Sequence, residues 1–213
     1  MKDWYDIYLE EIKLKKDTKN YVDYKIKNKK KLIKLIEKYA KNKKIMEAGC
    51  GTGIISTYMA SIGYDVYEVD INNKILNLAK EISLNYIKKG TPTFIQKDLL
   101  KLDFKENEFD VIFSNGVLEH FSDNEIKRIL KLELVQASYV IVGIPTKFFN
   151  DDEALHGDER FLEINHWRNL FKEVNATILE EKSYHYMTFI EKLKSLNKIF
   201  RPKPFKIFVL KKN

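Results

Sequence analysis

The chain has 213 residues, 44% hydrophobic and 13% aromatic, enough to bury one domain, and its lone cysteine, Cys50, excludes an intrachain disulfide and a CxxC metal site. The net charge of +7 and pI near 9.1 invite a nucleic-acid reading, but all but four of the 38 basic residues are lysine, and arginine, which suits bidentate phosphate contacts, stands only at 128, 160, 168 and 201. No apolar run reaches the roughly 18 residues of a membrane span, and charges at Lys2, Asp3 and Asp6 leave no room for a signal peptide's apolar core, so a cytoplasmic protein is expected.

Residues 1–16 can be written as a helix with Trp4, Ile7, Tyr8, Ile12 and Leu14 roughly on one side. A second helix is predicted from about Asp23 to Lys41, where Leu32, Ile33, Leu35, Ile36 and Tyr39 recur at helical spacing among lysines. Its opening run, Lys25 to Lys31, reads as a solvated face, with an RNA or membrane surface as the alternative. Both helices are expected to cover an edge of the sheet or the mouth of a site.

Alternation of strand and helix follows. Lys44 to Ala48 is strand one, and Ile54 to Ile62 is a helix that stops at Gly63. Tyr64 to Val69 is strand two, ending on Asp70, and about Asn72 to Lys88 is a helix ending at Gly90. Pro92 to Gln96 is strand three; Phe109 to Ser114 is strand four. Ser122 or Asp123 caps a helix to about Val135, and Tyr139 to Ile144 is strand five, closed by Pro145. Beyond it, Thr146 to Asn165 reads as a long acidic and aromatic loop, the kind that is usually functional or mobile. A helix around His166 to Val174, a strand from about Thr177 to Tyr184, a helix from Thr188 to Phe200 and a strand from Phe205 to Leu210 complete the chain. The fold class is therefore α/β: a doubly wound, Rossmann-like, mostly parallel seven-stranded sheet, its last strand antiparallel, behind an N-terminal helical extension. One domain is expected, divided into N-terminal helices (1–42), a cofactor-binding core (43–145), and a substrate-side loop with C-terminal strands (146–213).

The stretch Glu47-Ala48-Gly49-Cys50-Gly51-Thr52-Gly53 joins strand one to its helix. Glycines there let backbone N–H groups approach a ligand beside the partly positive helix N-terminus. Asp70, about 20 residues on and at the end of the next strand, can take both hydroxyls of a ribose. A dinucleotide fingerprint needs a small residue at position 54, where this chain has Ile54, so NAD is disfavoured. Cys50 between two loop glycines reads as a residue tolerated for its size.

Glu47-x-Gly49-x-Gly51-x-Gly53, Tyr67-Glu68-Val69-Asp70-Ile71, Gln96-Lys97-Asp98-Leu99 and the run Phe109 to Phe121 together resemble the class I S-adenosylmethionine-dependent methyltransferases over about residues 40–145. The resemblance implies S-adenosyl-L-methionine as cofactor and S-adenosyl-L-homocysteine as product. It puts Gly49, Gly51 and Gly53 along the methionine part, Glu47 near the amino group, Asp70 on the ribose and Ile71 beside the adenine. Asp98 and the backbone of Leu99 would read the adenine amine, and Asn115 and Leu118 would close around the sulfonium. Leu118-Glu119-His120 resembles the small-molecule subgroup. In the related ubiquinone-pathway enzymes a glutamate at the position of Gly116 joins that Glu and His in holding a metal; Gly116 breaks the trio, and no metal is expected.

Methyl transfer from a sulfonium asks mainly for alignment and, where needed, removal of a proton. Candidate bases are His120, His156 and His166. Trp4, Tyr5, Phe148, Phe149, Phe161 and Trp167 are candidate walls of an acceptor pocket. No Asn/Asp-Pro-Pro-aromatic stretch follows strand four, which disfavours methylation of exocyclic amines in nucleic acid. The expected function is methylation of a small molecule on oxygen, nitrogen or carbon by a monomer or homodimer. The alternatives are a tRNA, RNA or protein methyltransferase using the basic helices, and a non-catalytic cofactor-binding scaffold.

Overall fold

In the middle of the chain, the strands Phe109–Asn115 (β4) and Ala137–Pro145 (β5) have continuous apolar, buried centres at 111–113 and 140–144, as strands covered on both faces must. The computed structural model describes residues 3–14, 17–87, 90–147, 158–184 and 205–213. The helix expected over 188–200 lies outside them, as do His156, Phe148 and Phe149.

A seven-stranded sheet is built from β1 (Lys44–Ala48), β2 (Asp65–Asp70), β3 (Thr93–Gln96), β4, β5, β6 (Ala176–Tyr184) and β7 (Phe205–Lys212) in the spatial order 3-2-1-4-5-7-6. The first five strands pair in parallel, while β7 runs antiparallel between β5 and β6, as expected for the last strand. Order reverses at β1, with β2 on one side and β4 on the other. In open sheets of this kind the crevice at the carboxyl ends of such a strand pair receives the ligand.

Strand periodicity divides the core. Met46, Ile112, Val140 and Val142 face α5 (Asp123–Gln136) and α6 (Ile164–Glu173), packing on Ile126, Leu130, Trp167 and Phe171. Ile45, Val111, Phe113, Ile141 and Val209 face the other way, onto Leu32, Ile33 and Ile36 of α2 (Thr18–Tyr39) and Met59 of α3 (Ile54–Ser61). Each such fully buried aliphatic or aromatic side chain contributes about 1.5–3 kcal/mol. A third cluster joins α1 (Trp4–Leu14) to α2 and to α4 (Asn73–Tyr86) through Tyr5, Leu9, Tyr21, Val22, Leu78 and Ile82.

Several boundaries differ from the sequence reading by a residue or more, and two of the differences have a clear local cause. α2 begins five residues early, because Asp17 caps it by accepting from the Asn20 N–H at 2.8 Å. β5 follows α5 without a linker, since Ala137 already pairs with Phe109. Of the two candidate caps for α5, Ser122 takes the position and forms a capping box with Glu125.

Glu133 of α5 is fully buried, and neither carboxyl oxygen has a hydrogen-bond partner among the described residues. Burial alone pushes its pKa up from 4.5 to about 8. The folded state thus holds this proton more tightly than the unfolded one, so its contribution to stability is present below about pH 4.5 and is lost as pH rises toward 8. Glu133→Leu is expected to raise stability at pH 8 by about 2 kcal/mol or more, with little effect at pH 5, as read from urea unfolding at the two pH values.

Candidate functional site

At the β1/β4 switch point, the loop after β1 turns through Gly49, Gly51 and Gly53, each with φ between 54° and 68°, a region that side chains avoid. Space demands glycine there too. A Cβ on Gly53 would stand 2.1 Å from Oε2 of Glu68, and one on Gly51 would meet the Tyr8 hydroxyl at 2.7 Å. Glu68 lies fully buried in β2 under the loop, its pKa raised well above the carboxylate range by burial and then by the charge of Glu47. Burial, with Glu68 and Asp70 nearby, likewise pushes the Cys50 thiol up, so that it remains an unreactive thiol.

Asp70 ends β2 and ties the loop to the neighbouring strand ends. Its Oδ2 accepts from the Gly51 N–H at 3.2 Å and its Oδ1 from the Asn72 N–H at 2.9 Å. Burial raises its pKa, and these backbone donors oppose the shift. Asp70 pairs with Gln96 of β3, and the Gln96 amide donates to the Ile71 carbonyl, placing Asp98 in the same corner. There Asp98 caps a 3-10 turn by accepting from the Leu100 N–H at 2.9 Å; Leu99 is buried, whereas Ile71 is 65% exposed.

Next to this corner a cavity of about 220 Å³ is lined by Glu47, Gly49, Cys50, Gly51 and Thr52 on one side and by Asn115, Gly116, Glu119 and His120 on the other. Glu47 accepts from Ser56 Oγ at 2.6 Å and from the Ser56 N–H at 3.3 Å, at the start of α3. Burial outweighs these bonds and raises its pKa to about 7. Trp4 and Tyr8 of α1 form a roof, stacked with ring centroids 5.6 Å apart. Burial and the nearby Asp70 raise the Tyr8 pKa, so it stays a neutral hydroxyl.

The turn after β4 brings Glu119 and His120 to the cavity. Glu119 is 3% exposed, and its Oε2 has no hydrogen-bond partner among the described residues. Burial first, then Glu159, raises its pKa to about 8, against the pull of Lys29. His120 Nδ1 lies 2.6 Å from Asp158 Oδ1, and its ring meets the edge of Trp4. Arg160 fastens residues 158–161 over this turn: its N–H donates to the Glu119 carbonyl at 3.0 Å and its guanidinium pairs with Asp123 at 2.6 Å.

Among the predicted cofactor residues, Glu47, Gly49, Gly51 and Asn115 line the cavity, while Asp70, Ile71, Asp98 and Leu99 form the adjoining corner. Gly53 sits behind, as the N-cap of α3, and Leu118 packs in the core instead of on the cavity wall. Of the candidate bases, His120 faces the cavity, whereas His166 contacts Asp123 at 2.8 Å away from it. Trp4 and Phe161, two of the candidate acceptor-pocket residues, line the cavity. Trp167 is fully buried in the core, and Tyr5 packs among the N-terminal helices. Tyr8, Lys25, Lys29, Glu159 and Phe205 also line the cavity, and the sequence reading had given none of them a place there.

Residues 46–133 match the family model described as a methyltransferase domain. A ubiquinone biosynthesis O-methyltransferase of Actinobacillus pleuropneumoniae is 26% identical over 179 residues, which cover 70% of this chain and 72% of that one. The human eEF1A lysine and N-terminal methyltransferase is 26% identical over 102 residues, 47% of this chain and 14% of that protein. Among solved structures, the magnesium protoporphyrin IX methyltransferase of Synechocystis PCC 6803 with bound S-adenosylmethionine aligns with a TM-score of 0.66 at 17% identity, covering 91% of this chain and 81% of the other.

Proposed function

Because the chain belongs to the class I S-adenosylmethionine-dependent methyltransferase superfamily, we propose that it methylates a small-molecule acceptor on oxygen, nitrogen or carbon, in the cytoplasm. The methyl donor is S-adenosylmethionine. The donor set suits that group. Gly49 and Gly51 line the cavity and carry no side chain into it, Asp70 presents a carboxylate already fixed by the Gly51 and Asn72 amides, and Asp98 stands in the same corner. When bound, the cofactor supplies a methyl group already activated on a sulfonium. The chain has to hold it, align the acceptor and take a proton.

In this reading Asp70 binds the ribose, Ile71 covers the adenine, Asp98 and the Leu99 backbone read its amine, and Glu47 takes the amino group. Glycines 49 and 51 give the methionine part its close approach, and Gly53 lets the turn close over Glu68. Glu119 faces the acceptor and takes its proton, with His120, oriented by Asp158, beside it. The small-molecule acceptor rests on one observation, the Trp4 and Tyr8 roof over the cavity, which leaves room for a compact ligand more readily than for a polymer. The sequence similarity to an enzyme named for ubiquinone biosynthesis supports the same class.

A panel of phenolic, amine and carboxylic-acid acceptors incubated with methyl-tritiated cofactor tests this. Incorporation into at least one compound is expected. Incorporation only into tRNA or protein would instead favour the alternative suggested by the exposed Lys27, Lys30 and Lys34 of α2, and salt-sensitive retention of the tRNA would accompany it. No incorporation into any acceptor, with the cofactor bound, would leave the scaffold reading.

A further inference from the structure

Residues 158–161 return to the site after β5, and there neighbouring side chains part company. Glu159 and Phe161 line the cavity, whereas Arg160 between them reaches the other way, to the start of α5. Three elements meet at this one residue. Its backbone N–H donates to the Glu119 carbonyl at 3.0 Å, one guanidinium nitrogen donates to the Phe121 carbonyl, and another donates to Asp123 Oδ1 at 2.6 Å. The two carbonyls it takes flank His120. On the far side, Asp123 Oδ2 lies 2.8 Å from His166 Nε2 in the first turn of α6. The hydrogen bond from Arg160, then that from His166, holds the Asp123 carboxyl below its ordinary range, so the tie stays charged at neutral pH.

Arg160 does not itself line the cavity, but the groups on either side of it do their work there. Asp158 Oδ1 meets His120 Nδ1 at 2.6 Å, and Phe161 stands on the wall with Trp4. A guanidinium that donates to a carbonyl and a carboxylate at once has a fixed fork geometry, so the segment and the turn after β4 are held as one body. Such placement matters, because a shift of about 1 Å at a reacting group can cost about 100-fold in rate. We propose that Arg160 is a positioning residue for methyl transfer, locking residues 158–161 onto the turn after β4 so that the acceptor is held between Phe161 and Glu119. The inference rests on the small-molecule acceptor site given above.

With an acceptor from the phenol, amine and acid panel, Arg160→Met is expected to raise the acceptor KM at least about tenfold and to lower kcat, while S-adenosylhomocysteine affinity by titration calorimetry stays within about twofold and reports an intact fold. Asp123→Ala removes the far end of the tie and leaves the segment's own residues in place. It should give the same split, and the double variant should be no worse than Arg160→Met alone. Arg160→Lys keeps a charge for Asp123 and should recover part of the loss. Arg168→Met, which removes an ion pair with Glu181 outside the cavity, is expected to change neither constant. Acceptor constants within about threefold of wild type in Arg160→Met, equal loss of acceptor and cofactor, or fully additive losses in the double variant overturn the proposal while the small-molecule reading stands. Wild-type protein that binds the cofactor and methylates nothing in the panel overturns both.

Discussion

Asp70→Ala is expected to weaken S-adenosylhomocysteine binding by at least about 100-fold with no loss of fold. A carboxylate accepting from both ribose hydroxyls makes two charge-assisted hydrogen bonds, each contributing about 1.5–3 kcal/mol, and about 1.4 kcal/mol corresponds to a tenfold change in affinity. The same side chain also anchors the glycine loop through the Gly51 N–H, so the variant loses preorganisation as well as contacts. 5′-Methylthioadenosine, which keeps the adenosine and thioether of the cofactor but lacks its amino-acid group, contains the ribose and should lose affinity in parallel. Asp70→Asn keeps one acceptor oxygen and should fall between. Circular dichroism checks the fold, and an Asp70→Ala protein that binds S-adenosylhomocysteine within about fivefold of wild type would remove Asp70 from the cofactor site.

The contrast between Asp70 and Lys29 marks what could be read from sequence. Asp70 ends β2, which the β-branched and aromatic residues Val66, Tyr67 and Val69 mark as a strand in the sequence. Its distance from the glycines is set by the length of one βα unit, so spacing along the chain translates directly into a place in space. Lys29 has no such ruler. It sits in a helix that precedes the sheet, and which side of that helix meets the cavity depends on how α1 and α2 lie across Ile54, Leu78 and Ile82, elements that come later in the chain. A run of lysines reads as solvent-facing because most of it is. The i, i+4 lysine pairs at 25/29, 27/31 and 30/34 look alike in the sequence, and the fold decides that the first of them lines the cavity.

Aromatic residues show the opposite bias. Trp167 lay near the region expected to form an acceptor pocket, yet with Leu170 and Phe171 it makes the i, i+3, i+4 stripe of a core-facing helix, and that stripe decides its position. Trp4 sits in an equally apolar context, but its helix covers the open end of the sheet, so it roofs the cavity. The helix pattern identifies a buried face; whether that face meets core or ligand is decided by the element it lands on.

Glu119→Gln is expected to lower the rate of methyl transfer by about 100-fold or more while leaving S-adenosylhomocysteine affinity within about twofold, because general-base assistance contributes roughly 10²–10⁴. The bound cofactor would supply the methyl group and leave as a neutral thioether, and Glu119 would take the proton that the acceptor's oxygen or nitrogen gives up. Its Oε2, lacking a partner among the described residues and facing the cavity, is placed for that proton. A base must be ionised to act. With a pKa raised by burial to about 8, the wild-type rate should climb as pH rises from 6 toward 8 and then level, whereas the glutamine variant should show no such climb. His120→Ala provides the comparison: if His120 were the base, its removal would flatten the profile and Glu119→Gln would keep it. A Glu119→Gln enzyme with more than about a third of the wild-type rate and an unchanged profile would exclude Glu119 as the proton acceptor.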